Sequence, residues 1–302
     1  MERNRYALNV FNYIAAFFVG AVISIMVAFN TELGLKSTNE VSIAINQVVG
    51  ILTLSVIMII GRKNQIINPR REKSAWWQWF GGLFGLGVLT INYYSVSRAG
   101  TTIAMATAVL GQCASGLVFD LTGWMGMQKQ RISKKKIASL ILSFLGISFM
   151  LLYPRENNSI EKMLYGALGI LAGALTMIQM VYNSGFAKKK GAFFSARQNV
   201  ISGLVGIILF MLIAKPEASL EGFKSVLQAP WYILVGGGML ACVVVVGSNM
   251  IIPKIPGAAS AILLSSGQIL MAIAIDYMLY GIFEPSLLIG SIIMLVAIII
   301  GG

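Results

Sequence analysis

The sequence predicts an all-α integral membrane protein, with ten transmembrane helices in two inverted-topology five-helix repeats at residues 1–155 and 156–302. Three observations carry that expectation. Of 302 residues, 57% are hydrophobic and only 11% are charged, whereas a soluble domain, whose surface must face water, carries roughly 25% charged residues. The apolar residues gather into stretches of about 20, the length a helix needs to cross a hydrocarbon core of about 30 Å. Polar residues inside those stretches recur in the second half of the chain at a nearly fixed offset.

In chain order the expected spans are 10–30, 41–61, 76–97, 99–121, 136–153, 163–186, 193–214, 231–251, 255–280 and 285–302. The first follows Arg3 and Arg5, as a signal peptide would. Its apolar run continues to Phe29 with no small-residue cleavage site, so it reads as a span. Trp76, Trp77 and Trp79 head the third span as an interfacial aromatic anchor. Only Arg98-Ala99 parts the third span from the fourth, and Pro253-Lys254-Ile255-Pro256 parts the eighth from the ninth. Hydropathy alone could fuse the third with the fourth.

Basic residues in short loops resist translocation and so set orientation. With the N-terminus in the cytoplasm, 16 of the 23 basic residues fall inside and 6 outside; Arg197, just within a span, is the remaining one. Both termini are therefore expected in the cytoplasm, and the net charge of +12 reads as a topology signal with lipid headgroups as its secondary partner. Nucleic acid is not expected as a partner. Histidine is absent, and the two cysteines, Cys113 and Cys242, sit in apolar segments, so neither a disulfide framework nor a metal cluster can be argued. No cofactor is expected. The glycine clusters lie inside apolar spans, where they permit close helix approach rather than nucleotide binding.

The internal repeat is carried by polar identities. At an offset of 153, Gly20-Ala21 matches Gly173-Ala174, Asn30 matches Asn183, Ser42 matches Ser195, and Asn46 and Gly50 match Asn199 and Gly203. At an offset of 156, Gly81-Gly82 matches Gly237-Gly238, and GQCASGLVFD at 111–120 matches GQILMAIAID at 267–276. Each half holds five expected spans. Because five is odd, the second half enters the membrane from the opposite side, the arrangement that recurs in secondary transporters with the substrate site near the midplane.

A Gly-Gln-(seven residues)-Asp signature on the fourth span of each half, with the Asn30–Leu33 and Ser42–Gly50 regions, resembles the bacterial drug/metabolite transporter superfamily, in its YdcZ-like branch. The resemblance covers nearly the whole chain. It implies a ten-helix transporter of the bacterial cytoplasmic membrane, commonly an exporter of metabolites, amino acids or toxic cations. A histidine soon after the first Asp would be expected of related sequences. Leu121 and Thr122 stand there instead, so no role of that histidine carries over.

Several polar residues then become candidates. Asp120 and Asp276 end or interrupt apolar runs, and carboxylates at membrane depth are functional candidates because they are costly there. If the fourth and ninth spans run antiparallel as neighbours, Asp120 meets Lys254 and Asp276 meets Arg98, forming paired gates or proton-coupling sites on opposite faces; the alternative is a wetted interfacial carboxylate. Gln112 and Gln268 fall near mid-span, as substrate ligands or as an interhelical hydrogen bond. Asn30, Asn46 and Asn199 read as helix bridges. Asn183, Gln179, Asn92 and Tyr93 are candidate lining residues for a substrate. Arg197 either snorkels to the inner surface or holds an anionic group.

The expected function is secondary transport of a small polar or cationic metabolite, most readily export, by alternating access. An importer or uniporter of the same fold is the alternative. A membrane enzyme is disfavoured by the absence of histidine and of clustered carboxylates, and a non-transporting scaffold or sensor by the repeated polar pairs. The proton is a candidate coupling ion, and the outlying fifth and tenth spans offer a surface for a homodimer.

Overall fold

In the computed structural model, which describes residues 2–63, 72–123, 133–152, 160–251, 254, 257–281 and 285–301, the described residues are helical and contain no strand. The helices are α1 (Glu2–Lys36), α2 (Asn39–Lys63), α3 (Gly82–Ala99), α4 (Thr101–Thr122), α5 (Lys134–Leu152), α6 (Ile160–Lys190), α7 (Ala192–Ala214), α8 (Pro216–Val226), α9 (Trp231–Ile251), α10 (Gly257–Tyr280) and α11 (Pro285–Gly301). A 3-10 turn at Trp76–Phe80 leads into α3. Six helices, α1, α2, α4, α6, α7 and α9, are long and apolar enough to cross a membrane. Shorter apolar stretches lie in α5, α10 and α11. Every helix except α8 falls on one of the ten expected stretches.

The turns follow local chemistry. The Thr38 hydroxyl accepts the Val41 N–H at 3.3 Å and starts α2, as an N-cap should. Gly100, at φ +89°, breaks the chain between α3 and α4, and this left-handed backbone is the reason the two spans do not fuse. Helix α8 lies between the seventh and eighth expected spans, 193–214 and 231–251. Its sequence opens with Pro216 and Glu217 and ends near Lys224, which suits both the first helical turn and the dipole. Gly222 seats it against Thr38 and Val41.

Helix packing repeats across the halves. Helix α1 lies against α9 and α10, just as α6 lies against α3 and α4. Three pairs join equivalent helices of the two halves: α2 with α7, α4 with α10, and α5 with α11. The fifth and tenth expected spans thus pack on each other within one chain. Glycines set the closest approaches. A Cβ at Gly20 would overlap the Leu264 backbone, and one at Gly173 that of Ala108. A Cβ at Gly111 would strike the Ile170 carbonyl, and one at Gly267 the Phe17 carbonyl. These four glycines are repeat mates, and so are their partners. The core between α1, α9 and α10 is built from Val19, Ile23, Val27, Ala241, Val244 and Leu264. Large apolar side chains such as Phe18, Leu52, Ile59, Phe144, Phe210 and Ile292 face outward, a surface that suits lipid and not water.

Candidate functional site

The polar seam lies where α1, α2 and α3 of the first half meet α6, α7 and α9 of the second. A cavity of about 90 Å³ opens there. Helix α2 supplies Asn46 and Gln47, α3 supplies Asn92, and α6 supplies Thr176, Gln179 and Asn183. Helix α7 adds Asn199, and α9 adds Ser248 and Asn249. On α6 the three polar positions are three and four residues apart, the spacing that keeps side chains on one helical face. Apolar residues including Ile23, Met26, Val88 and Val244 make up the rest of the wall, and among the described residues no charged side chain lines it.

Two matching bridges hold the seam. In the first half, Asn46 Nδ2 donates to Asn30 Oδ1 at 2.7 Å, and the Ser42 hydroxyl donates to the Asn30 carbonyl at 2.7 Å. In the second, Asn183 Nδ2 donates to Asn199 Oδ1 at 3.0 Å, and the Ser195 hydroxyl donates to the Asn183 carbonyl at 2.9 Å. The amide direction is reversed between the halves. Gln179 accounts for this: its Nε2 also donates to Asn199 Oδ1, at 3.1 Å, whereas its repeat mate Met26 has no proton to give. The same asymmetry makes the second half of the cavity wall more polar.

A smaller recess of about 10 Å³ adjoins this cavity, sharing Leu89 and Asn92 with it and lined also by Asn30, Thr31, Asn39 and Tyr93. Of the candidate substrate ligands, Asn92, Gln179 and Asn183 therefore line the main cavity, and Tyr93 lines the recess. Gln112 and Gln268 line neither. They face each other across α4 and α10, Nε2 to Oε1 at 3.3 Å and 3.5 Å, both buried. This contact, with Asp276 at the start of α4, makes α4 and α10 antiparallel neighbours.

Asp276 is 3% exposed, and its two carboxylate oxygens accept the backbone N–H groups of Thr101 at 3.1 Å and Thr102 at 2.7 Å. The expected pairing with Arg98 is not formed. Arg98 instead reaches Glu161 at 3.1 Å and lies 5.8 Å from the Tyr165 ring centroid. The physical reason is that the unpaired N–H groups of the first turn of α4 meet the carboxylate in a buried place, while Arg98 is free to turn outward to a solvated partner. The side chain of Asp120 lies outside the described residues, so its expected contact with exposed Lys254 does too. Arg197 lies 5.8 Å from the Phe194 ring centroid, away from the cavity wall.

Gln47, Thr176, Ser248 and Asn249 line the cavity without having been expected. Two of them were within reach: at the offset of 156, Ser248 is the mate of Asn92 and Asn249 is the mate of Tyr93.

A family model described as "Putative inner membrane exporter, YdcZ" matches the chain twice, over residues 11–149 and 164–301. One solved crystal structure shares the fold at a TM-score of 0.60, over 95% of this chain and 97% of its own, with 14% identity. No curated protein sequence matches significantly.

Proposed function

Because the chain belongs to the YdcZ family of drug/metabolite transporters, we propose that it is a secondary transporter, exporting a small polar solute across the bacterial inner membrane by alternating access. The observation that carries this reading is the carboxamide-lined cavity between the halves, walled by repeat-mated residues from both. Ten helices, all but α8, would span the bilayer as two inverted five-helix units. Support comes from the antiparallel contact of the equivalent helices α4 and α10, from the mirrored packing of α1 and α6, and from the excess of basic residues on one side. Halves of one fold and opposite orientation have two conformations of similar energy, each open to one face. No nucleotide-binding loop is present in the sequence, so an ion gradient or the solute gradient supplies the driving force.

The gate in this reading is a carboxylate on a helix N-terminus. By the charge orientation, the Asp276 cap on α4 closes the outer side. In the opposite state Asp120, its repeat mate, would close the inner side at the start of α10. A proton on either carboxylate would weaken its cap, which makes the proton a candidate for coupling.

Cysteine labelling tests the topology. Cysteines placed at 129–136 and at 188–190 should react from the cytoplasmic side only. Labels reporting those two segments on opposite sides of the bilayer would remove the inverted repeat and the reading built on it. A cysteine in place of Asn92 should react from either side, according to the state of the gates.

A further inference from the structure

We infer that the cavity takes an uncharged small solute rich in hydrogen-bond donors, of the amide, urea or polyol class, and rejects both cations and anions. The inference deepens the transport reading and rests on the cavity being the transport site.

Three observations carry it. The first is charge. Among the described residues no Asp, Glu, Lys or Arg lines the cavity. Charged side chains elsewhere on these helices are committed: both Asp276 oxygens are taken up by the N-terminus of α4, Glu40 holds Lys215, and Arg197 lies over Phe194. A charged solute would shed its hydration shell in a site with no counter-charge, which is the expensive way to bury an ion. A neutral solute escapes that penalty.

The second observation is the direction of the lining groups. Asn46, Gln179, Asn183 and Asn249 each already donate an amide N–H to a protein oxygen, the last to the Ala192 carbonyl at 3.2 Å. The Thr176 hydroxyl donates to the Ala172 carbonyl of its own helix at 2.8 Å. Asn92 and Ser248 line the wall, and Asn92 Oδ1 and Ser248 Oγ, buried just behind it, have no hydrogen-bond partner in the protein. They are repeat mates on α3 and α9, one from each half of the wall. An unpaired carboxamide oxygen can only accept, so a solute that turns the Asn92 side chain towards itself must bring an N–H or O–H group to it. An anion brings none. A cation brings them at the cost of its charge.

The third is size. At about 90 Å³ the cavity is smaller than the roughly 150 Å³ cavity known to take benzene, which fits a solute of a few heavy atoms.

Three isosteric probes separate the charge classes: acetamide, acetamidinium and acetate. Binding to the purified full-length protein would be measured by ligand-observed NMR, and flux by entry of labelled probe into proteoliposomes against protein-free liposomes. Acetamide should bind at least tenfold more tightly than either ion, and it should be the probe of the three that the protein carries fastest. Asn92→Leu and, more conservatively, Ser248→Ala should each weaken acetamide binding, together by at least tenfold, in protein that keeps its unfolding temperature. Preference for acetamidinium or acetate, or acetamide binding unmoved by both substitutions, would overturn the solute class. In the former case flux of the ion would leave the transport reading standing. Absence of flux for all three probes, in folded protein, would overturn both.

Discussion

Gln112 and Gln268, repeat mates 156 residues apart in sequence, lie amide to amide across the α4–α10 contact, at 3.3 Å and 3.5 Å. Each is the other's buried partner, so the pair acts as a helix fastener. Replacing one by Leu strands the other carboxamide, a loss of about 1–3 kcal/mol for a buried polar group. Replacing both removes the orphan. The double variant Gln112→Leu/Gln268→Leu should therefore unfold at a higher temperature than either single variant. The coupling should exceed the loss in either single variant, and so lie above about 1 kcal/mol. Strict additivity of the two single losses, read from SDS or thermal unfolding in micelles, would show that the glutamines do not interact.

The glycines divide into two kinds, and alanine tells them apart. At Gly111 and Gly267 a Cβ would overlap a backbone carbonyl of the neighbouring helix, which has no flexible end to move aside. At Gly185, within the last two turns of α6, a Cβ meets nothing within 4 Å. Gly185→Ala should be neutral or stabilise by up to about 1 kcal/mol, from helix propensity alone. Gly111→Ala and Gly267→Ala should each destabilise by about 1–3 kcal/mol, the usual cost of overpacking. Unfolding temperatures in one detergent check the ranking; equal values for Gly111→Ala and Gly185→Ala would contradict it.

The repeat explains why so much of this arrangement could be read in advance. Polar identities at Asn30, Asn46, Asn183 and Asn199 have a fixed geometric meaning, since one fold used twice must make the same bridges twice. The Gly-Gln-Asp signature was legible as a paired feature, but its use was not. Whether Gln112 faces a cavity or Gln268 depends on how far α4 and α10 rotate about their own axes, and periodicity does not fix that rotation. The partner of Asp276 was misjudged for a related reason: a sequence displays side chains such as Arg98, while the unpaired backbone N–H groups of Thr101 and Thr102 exist only once α4 has formed. Gln47 is not legible from the repeat, because its mate is the apolar Val200.

Lys215, between α7 and α8, donates to Glu40 at 2.6 Å, with the Glu40 side chain 9% exposed and the Lys215 side chain 43% exposed. The hydrogen bond to Glu40 is the main cause holding the Lys215 ammonium above the ordinary lysine range. A raised folded pKa means that the pair contributes fully below the unfolded value of about 10.4 and loses its contribution as pH climbs through the folded value. Lys215 is well solvated, so the contribution should be only about 1 kcal/mol. Lys215→Gln should lower the unfolding temperature at pH 8, and the gap to the unsubstituted protein should narrow and close as pH rises beyond the ordinary lysine range. A gap that stays constant across that window would show that the ammonium charge is not involved.

Asp276 offers the sharpest separation of structure from gating. Its carboxylate satisfies two N–H groups of α4 and adds a negative charge at the positive end of that helix. Asp276→Asn keeps one accepting oxygen, so one N–H group of α4 loses its partner at about 1–3 kcal/mol, and losing the charge costs about 0.3–1 kcal/mol more from the dipole. Asp276→Ala leaves both Thr101 and Thr102 N–H groups unpaired, and about 1–3 kcal/mol should go with each buried orphan. Stability should thus fall in the order Asp, Asn, Ala. If the cap also closes the outer side, the same order should appear in access to the recess beside the cavity, where Thr31 is 1% exposed. A cysteine at Thr31, in a background with Cys113 and Cys242 replaced, should be alkylated from outside slowly with Asp276, faster with Asn and fastest with Ala. Should stability follow that order while labelling rates stay level, Asp276 would be a helix cap with no part in the gate.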